Sequence, residues 1–166
     1  MYTSQNLKVT IIDDDPAMTE MLKDFYIKSF PGSILTTYSS GEAALQGIFF
    51  EPDIIILDYH LDSTNAEAMN GLQVLKKLKD QFANVPILFL SSQEKSEVAA
   101  NTMKYGAYDY IVKNENAFHR LEIISNNIRG QSALKKNLGT QKVFNIILAV
   151  LVIALLIGFF AMSMMQ

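Results

Sequence analysis

A chain of 166 residues, 49% of them hydrophobic, is long enough for one domain of ordinary size with an appendage and can bury a real core. Its charge is uneven: residues 1–125 carry 17 acids against 10 bases, net −7, residues 126–142 carry four bases and no acid, and residues 143–166 carry no charge. An acidic body lacks the basic patch of a nucleic-acid-binding surface, and the absence of cysteine excludes disulfides, thiolate metal sites and a cysteine nucleophile.

The N-terminal segment MYTSQNLKVT shows no charged-then-apolar signal-peptide pattern. The run Leu7–Ile12 predicts a strand, and three adjacent acids follow it, Asp13, Asp14 and Asp15. Asp15 before Pro16 fits a helix start. The helix that follows has apolar residues at Met18, Met21, Leu22, Phe25 and Tyr26, at helical spacing. After the turn Pro31-Gly32 comes a short strand, Ser33–Tyr38, then a short helix over SGEAALQGIFF with Ser40 as its cap. Asp53–Asp58 is a continuous apolar run ending in an acid, the pattern of a central parallel strand. The segment GLQVLKKLKDQF is helical, with Leu72, Leu75, Leu78 and Phe82 on one side. Pro86–Leu90 is a strand, EKSEVAANTMKYG a helix closed by Gly106, Asp109–Val112 a fifth strand, and ENAFHRLEIISNNIR a last helix with Phe118, Leu121 and Ile124 inward.

Five strands alternating with five helices predict an α/β fold, a (βα)5 doubly wound parallel sheet with helices on both faces. In such sheets function gathers at the carboxyl ends of the strands, near a topological switch point. The polar residues expected there are Asp13 and Asp14 after the first strand, Asp58 after the third, Ser91 and Ser92 after the fourth, and Lys113 after the fifth. The two histidines, His60 and His119, are far apart and lack metal-ligand spacing.

With these residues in order, the chain from about Leu7 to Arg129 resembles the receiver domain of bacterial two-component response regulators, the CheY-like family. The matching elements are IIDDDP, IIILD, PILFLSS and GAYDYIVK. Each is weak alone, and four in register are a specific signal. Three carboxylates, Asp13, Asp14 and Asp58, suit a hard divalent cation such as Mg2+. The resemblance implies that Asp58 is the phospho-acceptor, that Asp13, Asp14 and Asp58 bind the metal with the backbone carbonyl of His60, and that Lys113 and Ser91 meet the phosphoryl oxygens. Ser91 and Tyr110 are the implied switch pair, and Asp15 is left as a helix-start residue. The implied partners are a histidine kinase or phosphotransfer protein and a downstream protein, with no nucleic acid. By the same resemblance the chain is not an enzyme beyond accepting and slowly losing its phosphate.

The sequence departs from the family pattern in three places. Asn114 stands where Pro usually follows the Lys, which bears on the pose of Lys113. The stretch from Asp58 to Gly71 is longer than usual and polar, and Ser92 replaces a commoner Ala. Two other readings compete. One is a Mg2+-dependent phosphohydrolase of the haloacid-dehalogenase type with Asp13 as nucleophile, disfavoured because Pro16-Ala17 replaces Gly-Thr after the second acid. The other is a receiver fold serving as a membrane scaffold with little phosphorylation.

The C-terminal part is different in kind. We read residues 1–129 as the receiver, 130–142 as a basic linker, and 143–165 as a transmembrane helix, an uncharged run long enough to span a bilayer core. Lys135, Lys136 and Lys142 before the span place the receiver in the cytoplasm by the positive-inside rule. The span is expected to act as a tail anchor, with no output domain after the receiver. Ala154 and Gly158 offer a small-xxx-small spacing through which two spans can pack as a homodimer.

Overall fold

A computed structural model describes residues 6–61, 68–131 and 144–151. The chain divides into two compact units, Met1–Arg129 and Gly130–Gln166. In the first unit the elements run β1 (Lys8–Ile12), α1 (Pro16–Ser29), β2 (Ile34–Tyr38), α2 (Gly41–Gly47), β3 (Ile54–Asp58), α3 (Gly71–Gln81), β4 (Ile87–Ser91), α4 (Ser96–Lys104) and β5 (Asp109–Val112). A further helix, α5, covers residues 117–131. The strands form one parallel sheet in the order β2-β1-β3-β4-β5. The alternation read from the sequence is the alternation observed.

The burial of each strand follows from its place. β3 and β4 are buried at all five positions, as strands covered on both faces must be, and both are continuous apolar runs. β2 is an edge strand, and its Thr36 and Thr37 are exposed. One core gathers Val9, Ile11, Ile54 and Ile56 of the sheet with Leu22 and Tyr26 of α1 and Leu121 and Ile124 of α5. The other packs Ile12, Ile55, Leu57 and Phe89 against α2, α3 and Tyr110. Within the first core the Tyr26 and Ser125 hydroxyls share a hydrogen bond of 2.9 Å, so two buried polar groups satisfy each other.

Local signals set the helix ends. Asp15 caps α1: its carboxylate accepts from the Ala17 amide at 2.9 Å, with Pro16 in the first turn. Ser40 caps α2 through the Ala43 amide at 3.2 Å. Asn70 and Gln73 form a reciprocal capping box at α3. After α4 the chain turns through Gly106 at φ +91°, a left-handed conformation open to glycine.

Two expectations need correction. Met21, which the helical spacing groups with the apolar residues of α1, is 52% exposed, because Leu22 and Tyr26 already fill the stripe of α1 that meets the sheet, and Met21 opens on a cleft between α1 and α5. α2 ends at Gly47, so Phe49 and Phe50 lie outside it and are exposed. Gly47 lies so close to Tyr38 that an added Cβ would come within 2.6 Å of that ring. In the second unit, residues 144–151 are helical with exposed apolar side chains. Among the described residues no helix is long and apolar enough to cross a membrane. Most of the expected span, with Ala154 and Gly158, lies outside the described residues, as do the linker bases Lys135, Lys136 and Lys142.

Candidate functional site

Because every strand is parallel, all five carboxyl ends share one edge. β1 pairs with both β2 and β3, so the connections leave the sheet in opposite directions around β1 and β3 and open a crevice above them. Ile12 and Leu57 are in register, which sets Asp13 and Asp58 side by side in that crevice. Asp14 joins them: ligand oxygens of Asp13, Asp14 and Asp58 lie within 4.8 Å of one another. Asp13 and Asp58 are buried and Asp14 is exposed.

Lys113, immediately past β5, reaches back across the edge. Its Nζ lies 3.0 Å from Asp13 Oδ2 and 2.8 Å from Asp58 Oδ1. Asn114 after it therefore does not prevent the expected pose. Burial works against the charge on Lys113, but Asp58 and Asp13 outweigh it and hold its pKa above the ordinary value. Burial dominates at Asp13 and pushes its carboxyl above the ordinary carboxylate pKa, against the pull of the Asp15 amide and Lys113. That amide donates to Asp13 Oδ1 at 2.9 Å, so the backbone that starts α1 also orients Asp13. Two partly compensated buried acids beside a third make a site with an affinity for positive charge. All the donors are hard oxygens, which fits a small divalent ion.

Asp58 is further held by the His60 amide, which donates to its Oδ2 at 2.9 Å. α3 starts hard against this strand end: a Cβ on Gly71 would lie 2.5 Å from the Asp58 carbonyl oxygen and 2.8 Å from that of Tyr59. The polar stretch after Asp58 falls partly on residues 62–67, outside the described residues.

Ser91 and Tyr110 are joined through a residue the sequence reading passed over. Ser91, fully buried, accepts at Oγ from the Gln93 amide at 3.1 Å, and the Tyr110 hydroxyl donates to the Gln93 carbonyl at 2.8 Å. The Gln93 side-chain nitrogen also lies 2.9 Å from His60 Nε2. His60, expected to act through its backbone carbonyl, thus also ties the loop after β3 to the loop after β4 through its side chain. The only hint in the sequence was a long polar side chain two positions beyond Ser91. His119 is exposed on α5, remote in sequence from these residues.

Residues 9–124 match the model of the response regulator receiver domain. The cell cycle transcriptional regulator CtrA of Caulobacter vibrioides is 30% identical over 119 residues, covering 72% of this chain and 48% of that protein. The cell cycle response regulator CtrA of Brucella ovis is 31% identical over 119 residues, covering 72% and 47%. The chain thus spans about half the length of these curated relatives. Because one of them is named a transcriptional regulator, the expectation that nucleic acid is excluded finds no support in the comparison. Among solved structures, the receiver domain of the Francisella response regulator 1452 superposes with a TM-score of 0.66 at 26% identity, over 76% of this chain and 99% of that one.

Proposed function

The chain belongs to the response regulator receiver family, a family of signalling domains rather than enzymes, and from that premise we propose that it accepts a phosphoryl group on Asp58 in a two-component relay. The observation that supports this most is Asp58 itself. It is a buried carboxylate at a strand end, clustered with two further acids and paired to a lysine 2.8 Å away. In the step we propose, a carboxylate oxygen of Asp58 attacks the phosphorus of a phosphodonor, the bond from phosphorus to the leaving atom breaks (an imidazole nitrogen of a phosphohistidine donor, or the acyl oxygen of acetyl phosphate), and an aspartyl phosphate results. Asp13, Asp14, Asp58 and the His60 backbone carbonyl are the groups that would hold Mg2+. When bound, the ion supplies the charge that lets an anionic donor approach an anionic nucleophile.

Lys113 has a positive charge ready for the phosphoryl oxygens once they arrive at Asp58. Ser91 is the hydroxyl that would turn to the same oxygens. To do so it gives up the Gln93 amide, and Gln93 is what joins it to Tyr110, so the loop between β4 and α4 would move with them. The donor we propose is a histidine kinase or phosphotransfer protein, and the output is contact with a downstream protein.

We further propose that residues 143–165 tether the receiver to a membrane, with the receiver in the cytoplasm. The support is the uncharged apolar run and the basic residues before it. The test uses the full chain incubated with acetyl phosphate and Mg2+ and read on a phosphate-affinity gel. Wild type should label and Asp58→Asn should not, and normal labelling of Asp58→Asn overturns the assignment. Resistance of the full chain to carbonate extraction checks the tether separately.

A further inference from the structure

The edge of the sheet opposite the acid site has a surface that the relay does not use. The loops there join helix ends to the amino ends of the strands. In a five-residue parallel strand the two edges lie about 15 Å apart. Phe49 and Phe50, between α2 and β3, are 83% and 82% exposed. Tyr105 and Tyr108, between α4 and β5, are exposed on the same edge, as is Ile34 at the base of β2. Among the described residues, the exposed Phe and Tyr side chains of the receiver unit that fall in its loops are these four, all at one pole. Lys76 covers part of Tyr105, its Nζ 3.8 Å from the ring centroid, which leaves the Phe pair as the most naked apolar group.

The charge at this pole runs against that of the body. Among the described residues of these loops, last helical turns and strand starts, the exposed charged groups are Lys8, Lys28, Lys104 and Arg129 against Glu51 and Asp80. Residues 1–125 as a whole are net −7. The polypeptide also leaves the receiver here. α5 begins just after the carboxyl end of β5 and runs back along the sheet, so Arg129, the last residue of the unit, lies at the amino edge.

We infer that this pole is a second membrane contact, with Phe49 and Phe50 entering the lipid interface. The reading rests on the proposed tether. Exposed aromatic rings on a face whose exposed charge is net positive are the side chains that settle at a membrane surface, although the Phe pair itself is followed by Glu51. Thirteen residues separate Arg129 from Val143, so the connection to the apolar run starts from this pole and reaches at most about 45 Å. With the amino edge in the interface, the acid site faces water on the far side of the sheet, open to a phosphodonor. A tether alone would let the receiver tumble, whereas two contacts give it an orientation.

The absence of native cysteine makes the test direct. Full-length protein carrying Glu51→Cys or Glu94→Cys is labelled with a fluorophore and reconstituted in phosphatidylcholine–phosphatidylglycerol vesicles doped with headgroup-nitroxide lipid. Position 51 adjoins the Phe pair, and position 94 lies on the opposite edge in the loop before α4. Severalfold quenching is expected at position 51 and little at 94. Adding Phe49→Ser and Phe50→Ser to the Glu51→Cys protein should abolish the quenching without releasing the chain from the vesicle. Equal quenching at 51 and 94, or none at either in a vesicle-bound chain, overturns the second contact while leaving the tether intact. Cross-linking between the 51 positions of two copies without quenching overturns it in favour of a protein occupant. Recovery of the chain away from vesicles overturns both readings.

Discussion

Replacing Lys113 with Met removes the ammonium that bridges Asp13 and Asp58. The two carboxyl side chains, 2% and 5% exposed, are then left within 4.8 Å of each other. At that distance, in surroundings of effective dielectric about 20, two like unit charges repel by about 3.5 kcal/mol. Domains of this size are stable by only about 5–15 kcal/mol in total. With a urea slope of about 1.5–2 kcal/mol per M, the midpoint should fall by about 2 M. The loss has a ceiling, because one carboxyl can escape the repulsion by taking up a proton, and burial has already raised the pKa of Asp13. The sign follows from that raised value. A folded-state pKa above the unfolded one favours folding at low pH, and the benefit is lost as pH rises through the folded value. The gap between wild type and Lys113→Met should therefore be small near pH 4 and widen toward pH 8. Mg2+ should narrow it by supplying charge to the same acids. The assay is urea unfolding followed by circular dichroism, in chelator and in Mg2+, at several pH values. Equal midpoints at pH 8 in chelator, or a gap that ignores both pH and Mg2+, would refute this account of the site.

Three further perturbations follow from single contacts. Gly71→Ala forces a Cβ against the backbone carbonyls of Asp58 and Tyr59, and should cost about 1–3 kcal/mol in thermal unfolding and slow acetyl-phosphate labelling as the strand end shifts. Tyr26→Phe orphans the buried Ser125 hydroxyl at a cost of about 1–2 kcal/mol in denaturant melts. Burial raises the pKa of the Tyr26 phenol, so wild type should lose stability as pH climbs past the ordinary tyrosine value near 10, and the Phe variant should lack that slope. Asp15→Ala removes the cap of α1, about 1 kcal/mol, yet should leave Mg2+-dependent beryllofluoride binding in place, whereas Asp14→Ala should lose it.

Much of the molecule can be read from local order in the chain. The runs that became β3 and β4 are continuous and apolar because both faces of those strands are covered. Asp15 before Pro16, Ser40 before α2 and Gly106 after α4 announce helix ends by properties of a few adjacent residues. Alternation of strand and helix forces a parallel sheet, and a parallel sheet puts the residues after its strands on one edge. Asp13, Asp14, Asp58 and Lys113 could therefore be named as a group before their distances were known.

What the sequence left open involves partners far apart along the chain. Lys113 sits between Asp13 and Asp58 because the order β2-β1-β3-β4-β5 makes β1 and β3 neighbours and brings β5 within a side chain's reach of both. Tyr26 and Ser125 meet only because α1 and α5 share one face of the sheet. Helical spacing included Met21 among the apolar residues of α1, but the width of the stripe that packs is decided by what lies opposite it, and Leu22 and Tyr26 fill that space. Gln93 carries no distinguishing pattern of its own. Its role comes from two loops closing over one edge, so that its amide, carbonyl and side chain meet Ser91, Tyr110 and His60. Periodicity and capping act over a few residues and are written in the chain, whereas the meeting of side chains across a sheet depends on which strands pair, and that is settled only when both faces of the sheet are buried together.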